Sequence, residues 1–171
     1  MTAPTGSAPP RVIVLMGVCG VGKSTVGRRL AAELGGSFEE GDAFHPPANV
    51  AKMASGRPLD DGDRAPWLAA MAAGIGDWLG RERPTILACS ALKAAYRGVL
   101  AGGRPGVAFV HLTGDPALIA ARMAARTDHY MPPTLLPSQL AILEPPEDAV
   151  TVAIDRDPAE LVAEIRRRLG L

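Results

Sequence analysis

Residues 11–25 read Arg11-Val-Ile-Val-Leu-Met-Gly-Val-Cys-Gly-Val-Gly-Lys-Ser-Thr25. The run from Arg11 to Met16 is apolar and β-branched and closes on Gly17, the pattern of a central strand covered on both faces. Gly17 to Ser24 match G-x-x-x-x-G-K-[ST] in full. From Ser24 to Leu34, Val26, Leu30, Ala31 and Leu34 recur at helical spacing until Gly35-Gly36 stops the helix. A glycine turn between strand and helix lets the backbone of Gly17, Val18, Cys19, Gly20, Val21, Gly22, Lys23, Ser24 and Thr25 converge on phosphate oxygens. The helix N-terminus adds positive potential, Lys23 neutralises the β- and γ-phosphates, and the Ser24 hydroxyl serves Mg²⁺. A nucleoside triphosphate site is expected. Cys19 reads as a small residue that fits the loop.

Outward from this unit, Thr85–Cys89, Val107–Leu112 and Val150–Ile154 are further apolar runs, each followed by a polar turn and a helix-like segment. Strand alternating with helix predicts an α/β fold, a parallel sheet with helices on both faces. Residues 1–10 carry three prolines and almost nothing to bury, so a disordered tail precedes a single domain over 11–171. Residues 46–80 show no strand signal. There Asp60-Asp-Gly-Asp63 offers capping carboxylates ahead of an alanine-rich stretch with Trp67, Leu68, Met71, Ile75 and Trp78, read as helices inserted over the sheet at about 42–80. Both tryptophans read as core. Arg126 to Pro137, between a helix over 116–126 and a short helical stretch near Gln139, reads as a lid.

The 171 residues carry 18 Lys+Arg against 18 Asp+Glu and only seven aromatic side chains, which argues against nucleic-acid or anionic-membrane partners. The opening residues do not show the basic, apolar and small-residue pattern of a secretory signal, so none is expected; Cys19 and Cys89 lie far apart, and no apolar run approaches the ~18 residues of a membrane span. A soluble, cytoplasmic protein is expected. The neutral total hides segregation: basic and acidic residues number 4 and 0 over 1–32, 2 and 7 over 33–63, 8 and 3 over 64–126, and 4 and 8 over 127–171. The cationic blocks hold the phosphate loop and the arginines discussed below.

A phosphate cradle does not name its acceptor. Switches and motors close a later strand with an acidic Mg²⁺ ligand, but Thr85–Cys89 runs into Ser90-Ala-Leu-Lys93 without one. The nearest acid follows Glu39-Glu-Gly, where Asp42 suits either a Mg²⁺-supporting role or that of a catalytic base. Gly41-Asp-Ala-Phe-His-Pro46, Asn49, Lys52-Met-Ala-Ser-Gly56 and Pro58-Leu-Asp-Asp-Gly-Asp-Arg64 then crowd hydrogen-bonding side chains into one short stretch.

With these segments on view, the chain from about Arg11 onward resembles the gluconate kinase family of small P-loop carbohydrate kinases. The marks are Leu15-Met-Gly-Val-x-Gly-x-Gly-Lys-Ser24, Gly41-Asp-x-x-His-Pro46, Lys52-Met-x-Ser-Gly-x-Pro-Leu-x-Asp-x-Asp-Arg64 with Pro66-Trp-Leu68, and Cys89-Ser-Ala-Leu-Lys93 with Tyr96-Arg97. The resemblance implies three α/β/α layers around a five-stranded parallel sheet, with a helical acceptor-binding insertion and a lid. It implies Mg-ATP as donor and D-gluconate as acceptor, phosphorylated at its 6-hydroxyl for sugar-acid metabolism, and it suggests a homodimer. The acceptor's carboxylate calls for a planar, permanent cation, for which Arg64 and Arg97 are candidates. Its hydroxyls call for groups such as Asp42, His45, Asn49 and Gln139. Asp42 would accept the proton of the attacking hydroxyl.

Lys93, past the end of a strand, is a further ligand candidate. Arg126, with Arg122 second, would meet the charge of the transferring phosphoryl group, and His129 resembles a lid residue of the family. Plainer readings stand beside these: Asp42, Asp61 and Asp63 as caps, His45 as a turn residue, and Lys93 with Arg97, or Arg122 with Arg126, as solvated helix stripes. The competing functions are a kinase for another small acceptor, such as shikimate or a nucleotide, and a regulatory module that hydrolyses ATP slowly.

Overall fold

Strand β1 (Val12–Met16) has no exposed residue because it is the middle of five. The computed structural model describes residues 8–127 and 131–171. The sheet runs β2-β3-β1-β4-β5, with β2 (Ser37–Glu40), β3 (Thr85–Ala88), β4 (Val107–Thr113) and β5 (Val150–Ala153), every neighbouring pair parallel. The alternation of β1 serves two cores at once. Ile13 and Leu15 join Val26, Leu30, Ile119 and Ile165, from helices α1 (Lys23–Leu34), α5 (Pro116–Ala124) and α7 (Pro158–Leu169). Val12, Val14 and Met16 join Trp67, Met71, Tyr96 and Leu100, from α3 (Asp61–Trp78) and α4 (Ala94–Ala101). Helices therefore cover both faces.

The insertion consists of a 3-10 turn over Gly41–Phe44, α2 (Pro47–Ala54) and α3. Helix α3 starts where the acidic run predicts. Asp60 accepts from the Asp63 N–H at 2.7 Å and the Asp63 carboxylate accepts from the Asp60 N–H at 3.0 Å, a reciprocal capping box. The second half of the expected lid runs through a 3-10 turn at Pro133–Leu135 into the first residues of α6 (Leu136–Ile142). Both tryptophans are buried, as read. Among the described residues no helix is long and apolar enough to cross a membrane.

Strand β2 has no counterpart among the apolar runs read from the sequence. As an edge strand of Ser37-Phe-Glu-Glu40 it is only half buried, with one large apolar residue. Two glycines bring main chains together around the site. A Cβ on Gly17 would lie 2.6 Å from the Leu112 carbonyl oxygen, and one on Gly41 would lie 2.3 Å from that of Ala88. Gly17 also has φ +146, which disfavours any side chain.

Candidate active site

The phosphate loop leaves β1 and turns into α1 through Gly22, at φ 94. Lys23 folds back over the loop, its Nζ donating to the Gly17 and Val18 carbonyls at 2.9 and 3.0 Å. Burial pushes its ammonium below the usual lysine range, with the Asp42 charge opposing. The Ser24 hydroxyl donates to Glu40 at 2.5 Å. Cys19 and Cys89 are buried free thiols. Burial raises both, Cys89 to about 12, so both stay protonated and unreactive at neutral pH.

A cleft opens over the loop, lined among others by Lys23, Ser24, Glu40, Asp42, His45, Arg64, Trp67, Arg126 and Gln139. Trp67 organises its floor. The indole Nε1 donates to the Gly41 carbonyl at 2.8 Å, fixing the turn that carries Asp42, and the ring stacks on His45 with centroids 4.3 Å apart at 11°. Asn49, buried behind, uses Nδ2 on the Asp63 carbonyl at 2.8 Å and on His45 Nδ1 at 3.3 Å. Because that amide is a donor, His45 Nδ1 accepts and the neutral ring carries its proton on Nε2. Arg64 turns Nη1 to the Leu59 carbonyl at 2.7 Å and the Tyr96 hydroxyl at 3.3 Å. Among the described residues no hydrogen bond occupies its Nε or Nη2, and neither is a buried orphan, so solvent reaches that edge through the cleft.

On the far side of the loop lies a second recess, lined by Gly20, Val21, Gly22, Thr25, Arg122, Arg126, Arg156 and Pro158 with two apolar neighbours. Arg122 is anchored there by donating to the Ile154 carbonyl at 2.9 Å. Gly20, Gly22 and Arg126 belong to both recesses.

No protein-family model matches the chain. A gluconokinase of Gluconobacter oxydans (strain 621H) is 46% identical over 165 residues, which cover 92% of this chain and 90% of that protein. The chain belongs to the gluconokinase family. A crystal structure of a gluconokinase from Sinorhizobium meliloti 1021 superposes with a TM-score of 0.81 at 46% identity, covering 94% of this chain and 92% of that one. The unliganded crystal structure of a sugar kinase from Janibacter sp. HTCC2649 gives 0.87 at 42% identity, covering 95% of each chain. The fold is that of the P-loop kinases.

Against this gluconokinase fold, the residues singled out in the sequence fall into three groups. Lys23, Ser24, Asp42, His45, Arg64, Arg126 and Gln139 meet in one cleft, while Thr25 and Arg122 line the recess beyond. Arg97 corrects its reading as a carboxylate ligand. Its guanidinium is spent on the carbonyls of Ala91, Leu92 and Glu144 at 2.7, 3.1 and 2.8 Å, clamping a loop in which Ala91 has φ 46. Lys93 does not line the cleft and pairs with Asp61 at 2.9 Å, and Asn49 supports His45 rather than lining the cavity. Gln139 lines the cleft but commits its amide: Oε1 accepts from the Cys19 N–H at 2.7 Å and Nε2 donates to the Met131 sulfur at 3.3 Å. His129 lies outside the described residues.

Glu40 is the residue sequence reasoning missed. Strand periodicity contains the signal: Phe38 packs against α1, where a Cβ on Gly27 would lie 2.6 Å from its ring, and Glu40, two residues on, faces the same way. It therefore reaches Ser24 at the head of that helix.

His45 gives a pH prediction. Burial is the largest influence on its imidazole, pushed down to about 4, and burial also lowers His111. Both rings fold neutral, so their contribution is intact above the unfolded value near 6.5 and is lost as pH falls through the folded value. Stability is expected to hold from pH 8 to 7 and then decline below 6.5. His45 supplies up to about 1.4 kcal/mol per pH unit of that decline where it differs by a full proton. Denaturant titrations at pH 7, 6 and 5 should show a flatter slope in His45→Gln; an unchanged slope means that His45 charges freely in the fold.

Proposed function

We propose that the chain transfers the γ-phosphoryl group of ATP to the 6-hydroxyl of D-gluconate, giving 6-phosphogluconate and ADP. One observation carries this reading: the phosphate loop and Arg126 form a wall shared by two recesses of different chemistry. The recess with Thr25, Arg122, Arg156 and Pro158 suits the nucleoside and inner phosphates of the donor. The opposite cleft offers an open guanidinium edge, a neutral imidazole donor and carboxylates, the groups that an open-chain polyhydroxy acid needs. The γ-phosphorus then sits at the wall, with nucleotide on one side and acceptor on the other.

The Arg64 edge takes the acceptor carboxylate and His45 Nε2–H donates to a hydroxyl. Asp42 orients the 6-hydroxyl and accepts its proton as the oxygen bonds to γ-phosphorus and the bridge to the β-phosphate breaks. Lys23 and Arg126 meet the charge on the transferring group without needing to reorganise.

The residues present also fit Mg²⁺. The Ser24 hydroxyl donates its hydrogen bond to Glu40, which leaves its oxygen lone pairs for a hard cation, with Glu40 and Asp42 adding negative charge beside it. When bound, the metal would be held through the Ser24 hydroxyl, with Glu40 and Asp42 close by, and would offset the negative charge of the phosphates during transfer. Among the described residues no three His, Cys, Asp or Glu gather as a metal cage, and an ion that keeps its waters and phosphate ligands requires none.

ADP release with Mg-ATP, measured against gluconate, other sugar acids, shikimate and nucleoside monophosphates, tests the reading; turnover that does not depend on gluconate overturns it. Within the same assay Arg64→Ala should raise the gluconate KM by about 30-fold or more and leave the ATP KM unchanged, since a bidentate charge-assisted pair is lost. An unchanged gluconate KM moves the carboxylate elsewhere.

A further inference from the structure

Three side chains just outside the cleft form one chain of hydrogen bonds that ends on Arg64 in its wall. Lys93 Nζ lies 2.9 and 3.2 Å from the two oxygens of Asp61, the Tyr96 hydroxyl donates to Asp61 Oδ1 in a short contact, and Arg64 Nη1 donates to that hydroxyl at 3.3 Å. Both cations also lie 5.6 Å from the centroid of the Tyr96 ring. Asp61 and Arg64 sit one turn apart on α3, whereas Tyr96 is on α4 and Lys93 caps it, so the chain ties the two helices together. None of Asp61, Lys93 or Tyr96 lines the cleft.

We infer that Tyr96 is a positioning residue for Arg64, held by Asp61 and Lys93, and that it sets affinity for the acceptor's carboxylate without touching the acceptor. This rests on the reading of Arg64 above. The physical argument has two parts. An arginine side chain has many rotamers, and a guanidinium fixed at Nη1 by a carbonyl and a phenol presents its opposite edge in one orientation, so less entropy is lost on binding. The second part is electrostatic. A carboxylate directly on Arg64 would compete with the substrate's carboxylate; the phenol keeps Asp61 one group away, and Lys93 pairs with both of its oxygens. The Tyr96 hydroxyl first and Lys93 second hold the Asp61 carboxyl below its usual range, so the arrangement stays ionised at any working pH.

The test is a double-mutant cycle read in gluconate kcat/KM and in KM against kcat. Tyr96→Phe keeps the buried ring and should raise the gluconate KM about tenfold, with kcat and the ATP KM within about twofold. Asp61→Ala, at an exposed carboxylate, should raise it in the same sense by a smaller factor. In an Arg64→Ala background Tyr96→Phe should add nothing, because its only route to the acceptor is already gone. The inference is overturned if Arg64→Ala raises the gluconate KM but Tyr96→Phe does not, or if the two penalties multiply. If Arg64→Ala itself leaves the KM unchanged, the carboxylate assignment has failed, an outcome distinct from failure of the relay. A melting curve for Tyr96→Phe close to the parent's confirms that a changed KM reports positioning, and a collapsed one with kcat falling alongside rejects it.

Discussion

Asp42→Asn is expected to lower kcat for gluconate phosphorylation by about 10²- to 10⁴-fold, the range of a general base, with the ATP KM little changed. The substitution keeps the shape of the side chain and removes its ability to take a proton. Asp42 stands at the head of the 3-10 turn that follows β2, and that turn is fixed from below by the Trp67 indole on Gly41 and from the side by the close approach of Gly41 to Ala88. Its carboxylate therefore reaches the cleft from a rigid mount, close enough to Lys23 for its charge to oppose the desolvation of the ammonium. Steady-state ADP release with saturating gluconate is the check. A kcat within about threefold of the parent leaves Asp42 an orienting role only, since a loose phosphoryl-transfer transition state asks little of a base that merely points the hydroxyl.

Lys23→Met is expected to reduce kcat/KM for ATP by about 10³-fold or more, comparable with loss of a transition-state cation in phosphoryl transfer. Among the described residues no carboxylate forms an ion pair with Lys23; its ammonium rests on the Gly17 and Val18 carbonyls, so a triphosphate would meet a desolvated cation already in place. Lys23→Arg should not rescue activity, because a planar guanidinium cannot occupy the compact position of an ammonium folded over the loop. Nucleotide titration alongside kinetics separates lost binding from lost catalysis. Activity in Lys23→Met within tenfold of the parent contradicts its role at the phosphates.

How far the molecule is legible in its sequence depends on how local each feature is. The phosphate loop is contiguous, and its flanking strand and helix announce themselves by periodicity. The capping box of α3 needs only residues three apart. Strand β2 has an edge position and one large apolar side chain, so the apolar run that marks the interior strands is missing there, and Glu40 is hidden with it. Arg64 and Arg97 are alike as residue types, and spacing cannot tell where a long, flexible side chain ends. Only the fold shows that Arg97 turns back to main-chain carbonyls, one of them on Glu144, while Arg64 keeps an edge toward the cleft. Gln139 is similar: its partner Cys19 is 120 positions away, so nothing local could reveal that its amide braces the phosphate loop.

In the proposed reaction, phosphoryl passes across the wall shared by the two recesses to a primary alcohol of the acceptor. Proton-coupled ³¹P spectroscopy of the product of Mg-ATP and D-gluconate reads this directly. The expected product gives a phosphomonoester resonance split by the two protons of one methylene group, formed in step with ADP. A resonance split by a single proton, marking a secondary hydroxyl, or inorganic phosphate accumulating in step with ADP, would contradict it.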